Sequence, residues 1–509
     1  MSDISVPWRD REKPRLNPVA RLVVVIAKLT RAVWTPILAH FAGFLLLGAI
    51  VGSILLVWAV YGIFNYVDAH VMDVHEPAAG DRFVRVAPFQ EALAASEVPL
   101  GAVLAYPLWV LQCPFIRDVF GLCGVFGVIC LVAMFAIWWE RKVAGHIQSR
   151  CGPMRVGRWH GWAQSMADGL KLVCKEDLVP RSADRALFLA APYLTFIPAV
   201  LAFVALPFGT YWVFRNLDVG LVFILAMLGV EVVGVIIAGW ASNSKWTVLG
   251  AMREACQMVS YEIPMGMALL VPIMCVGSLN LVTVGDSQSG GWHTWLAFRS
   301  PFTLCACLTY FIAALASCKR APFDLPEGES ELVGGFHTEY SGWRWCLFFF
   351  AEYAAMFVVC GLATILFLGG WHSPLPSSWA LESNAIWAKA VNGLLFAGPL
   401  WFIGKCMCLM YVQLWFRWTL PRIRIDQVLH ACVQFMLPLV MLVLLANTFW
   451  ELYVVPGDVL FIVGNVAASI VGLVLTLGFV VIAGYGWWNR RRLVQPQGWT
   501  YAVDLLKGS

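Results

Sequence analysis

Long apolar runs separated by shorter polar segments set the pattern of this chain. Ten of them approach or exceed the ~20 residues that carry a helix across ~30 Å of hydrocarbon. They are roughly 39–66, 119–139, 186–208, 219–240, 256–281, 301–318, 346–369, 391–416, 428–450 and 458–486. The fold class is therefore all-α. The pattern predicts a polytopic membrane protein of about ten transmembrane helices, an eight-helix core with one extra helix at each end. The run 95–115 is apolar but broken by Pro99, Pro107 and Pro114, and reads as an interfacial or re-entrant segment.

Three regions follow. Residues 1–118 form an N-terminal extension: a basic arm, one extra transmembrane helix and an extracytoplasmic connector rich in acids. Residues 119–450 form the core. Residues 451–509 add a transmembrane helix and a basic tail containing WWNRRR. Two polar segments inside the core stand out. Segment 140–185 is long, and its stretch Trp162–Leu178 places Met166, Leu170 and Val173 on one apolar face. That stretch predicts an amphipathic cytoplasmic helix lying along the bilayer surface. Segment 319–345 is short and carries Asp324, Glu327, Glu329, Glu331 and Glu339, with Glu327 and Glu331 on one face if helical.

Composition agrees: 60% of residues are hydrophobic and 13% charged, which excludes an ordinary soluble domain. Charge placement then fixes the expected sidedness. Alternating sides put all of the 35 Lys and Arg on one face except Arg82, Arg85, Arg117, Arg215, Arg299 and Lys389. Lys405 and Arg417, at the ends of one run, are taken with the majority. By the positive-inside rule that face is cytoplasmic, and both termini with it. The net charge of +4 then reports topology rather than nucleic-acid binding. The first apolar run starts too late and runs too long for a cleavable signal peptide, and reads as a retained helix. The 15 cysteines include no CxxC pair and no four-cysteine iron–sulfur pattern, so the chain is expected to carry no redox centre of its own.

The informative residues are acids inside or at the ends of apolar runs: Glu231, Glu262 and Glu352, with Glu254 two turns before Glu262 on about the same face. A charged carboxylate in hydrocarbon costs at least a few kcal/mol, so such residues mark ion or proton paths. Each alone is equally well a hydrogen-bonding partner for a neighbouring helix. Together, and flanked by the acidic segment 319–345, they describe a proton-conducting line from a cytoplasmic cavity toward the membrane centre. The aromatic residues Phe323, Phe336 and Trp343 suit a wall for a flat apolar ligand. Arg141, Lys142 and Arg150 read either as snorkelling anchors or as contacts for a polar ligand head or a docked subunit. His337 is a candidate proton donor, though a lone loop histidine is more often solvated.

Four stretches in order, ERKVAGHIQSRCGPMRVG, ADGLKLVCKEDLVP, AGWASNSKWTVLGAMREACQMVSYEIP and RAPFDLPEGESELVGGFHTEYSGWRWCLFFFAEYAAMF, resemble the H-type membrane subunit (subunit 1) family of NADH:quinone oxidoreductase, respiratory complex I. The resemblance runs from about 119 to 450. It implies a bacterial inner-membrane subunit that forms much of the quinone channel and couples quinone reduction to proton translocation. It also implies no cofactor in this chain, quinone as substrate, and NADH, FMN and iron–sulfur clusters in partner subunits. Other membrane subunits and the quinone-side peripheral-arm subunits are the implied partners. By motif position, Arg141, Arg150, Arg253, Phe323, Asp324, Phe336 and Arg422 are the implied quinone-channel residues. Glu231, Glu254, Glu262, Glu352, Glu327, Glu329 and Glu331 are the implied proton path. Met154 and Arg158 depart from the family's usual residues in the turn GPMRVGR.

The nearest rival is the equivalent subunit of a membrane-bound hydrogenase or ferredoxin-linked dehydrogenase. A stand-alone transporter would show inverted repeats with paired broken helices, and none is visible by eye. A pure scaffold predicts that the membrane acids tolerate Gln.

Overall fold

The computed structural model describes residues 114–453, apart from 158, 159, 211, 327 and 376–397, together with 462–471 and 474. The first extra span, the connector, the 95–115 segment, the start of the 391–416 span and most of the C-terminal extension lie outside the described residues. The helices are α1 (Pro114–Ile147), α2 (Gln164–Cys174), α3 (Arg185–Ala202), α4 (Gly220–Ala241), α5 (Lys245–Val276), α6 (Leu281–Asp286), α7 (Pro301–Ser317), α8 (Glu329–Leu332), α9 (Gly342–Phe367), α10 (Gly398–Thr419), α11 (Ile425–His430) and α12 (Leu437–Tyr453). A π-turn, Ala431–Met436, joins the last two into one span.

Among the described residues seven helices are long and apolar enough to cross a membrane, and α7 is a shorter apolar helix of 17 residues. These eight are the predicted core spans. Their ends differ from the sequence reading in two places that matter. α1 continues to Ile147 rather than stopping at 139, so Glu140, Arg141 and Lys142 are helical. α5 begins at Lys245 rather than 256, so Arg253 and Glu254 belong to a helix rather than a loop. Hydropathy drops at both places because charges appear, but the helical hydrogen-bond ladder runs on through them.

α9 sits at the centre. It is apolar on every side, and 89% of its most apolar window is buried, against 28–44% for the other six spans. A helix with no polar face must be surrounded by others. It packs against α3, α10, α1 and α7. α4 and α5 form a tight antiparallel hairpin: a Cβ at Gly239 would lie 2.3 Å from the Ala251 methyl, so only glycine fits. α12 packs against α5 and α7.

α2 is shorter than the predicted amphipathic stretch. Ser165 Oγ donates to the Met134 carbonyl (2.8 Å), docking it on α1. Leu170 and Val173 stay more than half exposed, an apolar strip turned away from the bundle.

Candidate functional site

The length of α7 decides where the charges sit. Seventeen residues span ~26 Å, whereas the 32 residues of α5 span ~48 Å. Both packed side by side, α7 must end well inside the bundle. Gln257 Nε2, twelve residues into α5, donates to the Ala316 carbonyl (2.7 Å) and marks that level. The other end of α7 is fixed by Ser300, whose Oγ accepts from Thr303 N (3.1 Å), with Pro301 opening the helix.

Lys319 and Arg320 follow α7 directly and are therefore delivered into the interior. Lys319 N–H donates to Ala316 O (3.2 Å) and Arg320 N–H to Leu315 O (3.4 Å), the paired bonds of a Schellman cap. Lys319 fills the left-handed position at φ +54°, where glycine is the relaxed residue. Both cations also lie at the negative end of the α7 dipole.

Arg320 is fully buried. Its Nη1 donates to Glu140 Oε2 (3.1 Å) on α1, and its Nε lies 3.0 Å from Glu352 Oε1 on α9. The Tyr353 hydroxyl and Arg417 Nη1 of α10 each donate to Glu140 at 2.6 Å. The guanidinium plane lies 4.8 Å over the Tyr353 ring. Lys319 Nζ pairs with Glu254 of α5 and lies 3.4 Å from Glu231 of α4. Burial alone would push its ammonium down; the carboxylates of Glu254 and Glu231 outweigh that and hold it above the usual lysine range. One short helix thus ties acids on α1, α4, α5 and α9 into one buried set. Charges so far from water persist only when paired, and removing one partner strands the other.

Beside Lys319, and lined by it, lies a small cavity of about 10 Å³, room for no more than about one water, whose other walls are Thr195, Phe336, His337, Trp345, Phe348, Phe349 and Glu352. Phe336 lies 5.8 Å below Lys319 Nζ and packs edge-on against Phe348. It reaches this place because its backbone rests on α5 at Gly250, where a Cβ would lie 2.8 Å from Phe336 N. Burial, and then the Lys319 charge, hold His337 down at about 4. At neutral pH it is an uncharged lining residue.

The sequence-derived residues divide. Glu231, Glu254 and Glu352 come together around Lys319 and Arg320. Glu262 does not: it turns ~80° from Glu254 around α5 and lies ~12 Å deeper, so the two do not share a face. It is half-buried against α4, where its Oε1 would lie 2.9 Å from a Cβ at Gly229. Phe323 is buried against Tyr261 at 5.3 Å. Asp324 accepts from Arg422 Nη2 (3.1 Å). Glu331 accepts from Arg253 Nη1 (2.5 Å), a bond and charge that hold its carboxyl below the usual range. α8 is a single turn beginning at Glu329. Glu327 and the Glu329 side chain lie outside the described residues. Arg141 pairs with Asp168 of α2, and the exposed Arg150 donates to Gln148 Oε1 (2.6 Å); neither joins the buried set. Lys142 Nζ donates to Pro153 O (2.5 Å), with Met154 Sδ 3.1 Å away, and braces the turn that carries Met154. Arg158 is outside the described residues.

Three residues central to the site carry no mark in the sequence reading: Glu140, Lys319 and Arg320. The signal was present. A span of 17–18 residues is short for a crossing, and a basic pair directly after it is carried inward.

A sequence model of the NADH dehydrogenase family matches residues 120–448. The H-type subunit of NADH-quinone oxidoreductase from Chlorobium luteolum is 44% identical over 330 residues, covering 64% of this chain and 87% of that protein. Its counterpart in Geobacillus thermodenitrificans is 42% identical over 335 residues, with 65% and 94% covered. That of Rhodospirillum centenum is 45% identical over 314 residues, with 61% and 86% covered.

Proposed function

Because the chain belongs to the NADH dehydrogenase family, we propose that its buried charge set couples quinone reduction to proton translocation. The chain is a membrane subunit of an NADH-quinone oxidoreductase, and other subunits of that complex are its partners. In this reading the small cavity beside Phe336 marks where the inner end of a quinone channel opens. Arg141, Arg150, Arg253, Phe323, Asp324 and Arg422 lie along its approach. Partner subunits carrying flavin and iron–sulfur clusters supply the electrons. The chain sits in the bacterial inner membrane with both termini cytoplasmic.

The observation that carries the reading is the continuity of charge from cavity to membrane. Glu352 lines the cavity and pairs with Arg320, while the adjacent Lys319 lines it too and pairs with Glu231 and Glu254. A carboxylate held by a cation is sensitive to any new charge nearby, because the pair sits where water screens little. Reduction of a quinone draws protons and changes charge in the cavity. The paired acids then change partner or protonation, and Glu262, deeper in the membrane, carries the change onward.

Glu262 is the cleanest test, since among the described residues no ion pair holds it and Gln fits the same space. Membranes carrying Glu262→Gln are assayed for assembled complex, quinone reduction and proton pumping. With normal assembly, reduction and pumping fall together. Both rates at wild-type level would make Glu262 a packing residue and end the proton-line reading at that step.

A further inference from the structure

Lys319 occupies a backbone position that favours glycine, yet carries a long basic side chain into the interior. A left-handed conformation at a non-glycine residue is costly and persists where the surroundings over-determine it. Glycine would close the same Schellman cap without that cost. The lysine is therefore not there for the turn. Its side chain touches two regions at once: the carboxylates of Glu231 and Glu254 on one side, and the cavity wall of Phe336, His337 and Glu352 on the other. Arg320, one residue on, is locked by Glu140 and Glu352 and lies over the Tyr353 ring. Lys319 has no such lock on its cavity side, where it meets an aromatic face.

Resting on the coupling function above, we propose that Lys319 is the positioning residue that links cavity to membrane acids, its ammonium moving between the Glu231–Glu254 pair and the cavity. A lysine suits this. Its charge is compact, its stem has four rotatable carbons, and its three N–H donors can exchange partners without the planar geometry a guanidinium demands. Negative charge arising in the cavity draws the ammonium toward Phe336 and Glu352. Glu231 and Glu254 then lose their counter-ion while still buried, and take up a proton. When the cavity charge is discharged the ammonium returns and the proton is expelled. Lys319 touches no reacting atom; it acts through the two carboxylates.

The test uses whole complex in sealed membranes and reads protons pumped per quinone reduced, a ratio independent of how much complex is present. Wild-type membranes come first: no quinone-linked pumping there would defeat the coupling function itself, separately from the role of Lys319. Two variants follow, Lys319→Met and the double variant Lys319→Gly with Glu254→Gln. The double variant relaxes the backbone and removes the stranded charge together. The expected result is a ratio lowered by about fivefold or more in each, at whatever rate of quinone reduction remains. Lys319→Arg keeps the charge but not the mobility, and is expected to fall between them and wild type. A wild-type ratio in either the single or the double variant overturns the proposal. Failure of both to assemble also overturns it, leaving Lys319 as a structural ion pair. If the single variant alone fails to assemble, the double variant's ratio is compared with that of Glu254→Gln alone, and a ratio no lower than in that variant overturns the proposal.

Discussion

Lys319 and Lys405 both reach into this bundle, and their partners differ in kind. Lys319 holds carboxylates, Glu254 and Glu231. Lys405, at the far end of α9, holds carbonyls: its Nζ donates to Leu368 O (2.6 Å), Gly370 O (3.0 Å) and His372 O (2.7 Å), and lies 4.4 Å over the Trp295 ring. A peptide carbonyl is a fixed dipole with no proton to gain, so Lys405 fastens the chain where α9 ends. A carboxylate can change charge, so the pairing of Lys319 responds to its surroundings. The position of Lys405 also corrects the sidedness read from the sequence. It lies at the opposite end of the bundle from Arg417, and belongs with the sparsely charged face.

The sharpest way to break this contrast is to strip the inner set of its fully buried guanidinium. Arg320→Met leaves Glu140 and Glu352 buried with reduced compensation, a loss of about 3–5 kcal/mol. The expected outcome is little or no assembled complex on a native gel. Normal assembly would show that the inner charges are held by something other than one another.

Lys405→Met is expected to act differently. It leaves three carbonyls without their donor, a cost of about 1–3 kcal/mol. The thermal midpoint of the purified complex should fall while protons pumped per quinone stay at wild type. A changed ratio would erase the distinction between the two lysines.

The smallest effect concerns His337. Its folded value of about 4 lies below the ~6.5 of an unfolded histidine. The unfolded chain therefore takes up this proton first as pH falls. The stability His337 contributes is present above ~6.5 and is lost progressively toward 4. Thermal midpoints measured from pH 7 to 4 should drop less steeply in His337→Gln than in wild type across that window.

Much of this was legible in the sequence, and the reasons are specific. The eight core spans were visible because hydrocarbon demands length and apolarity together. Glu231 and Glu352 were visible because a charge in such a run is rare. Glu140 was hidden by its neighbours: in ERK it reads as the first residue of a basic loop, although α1 runs on for two more turns. Lys319 and Arg320 count as cytoplasmic anchors in any tally along the chain, because such a tally takes no account of depth. Their depth depends on α7 being shorter than the helices beside it, which is a relation between elements rather than a property of either. Gly250 gave no warning either, since only the contact with Phe336 makes its missing Cβ matter.

α7 is in effect a ruler. Each residue added to it would lower the basic pair by ~1.5 Å and swing it by ~100° about the helix axis, taking Lys319 away from Glu254 and Arg320 away from Glu140. Exchange of one apolar side chain for another at the exposed positions Leu308 and Ile312 leaves both coordinates untouched. Inheritance of this segment is therefore governed by number more than by identity: mutational drift among its lipid-facing residues is cheap, while a single-codon insertion or deletion disconnects every acid at once.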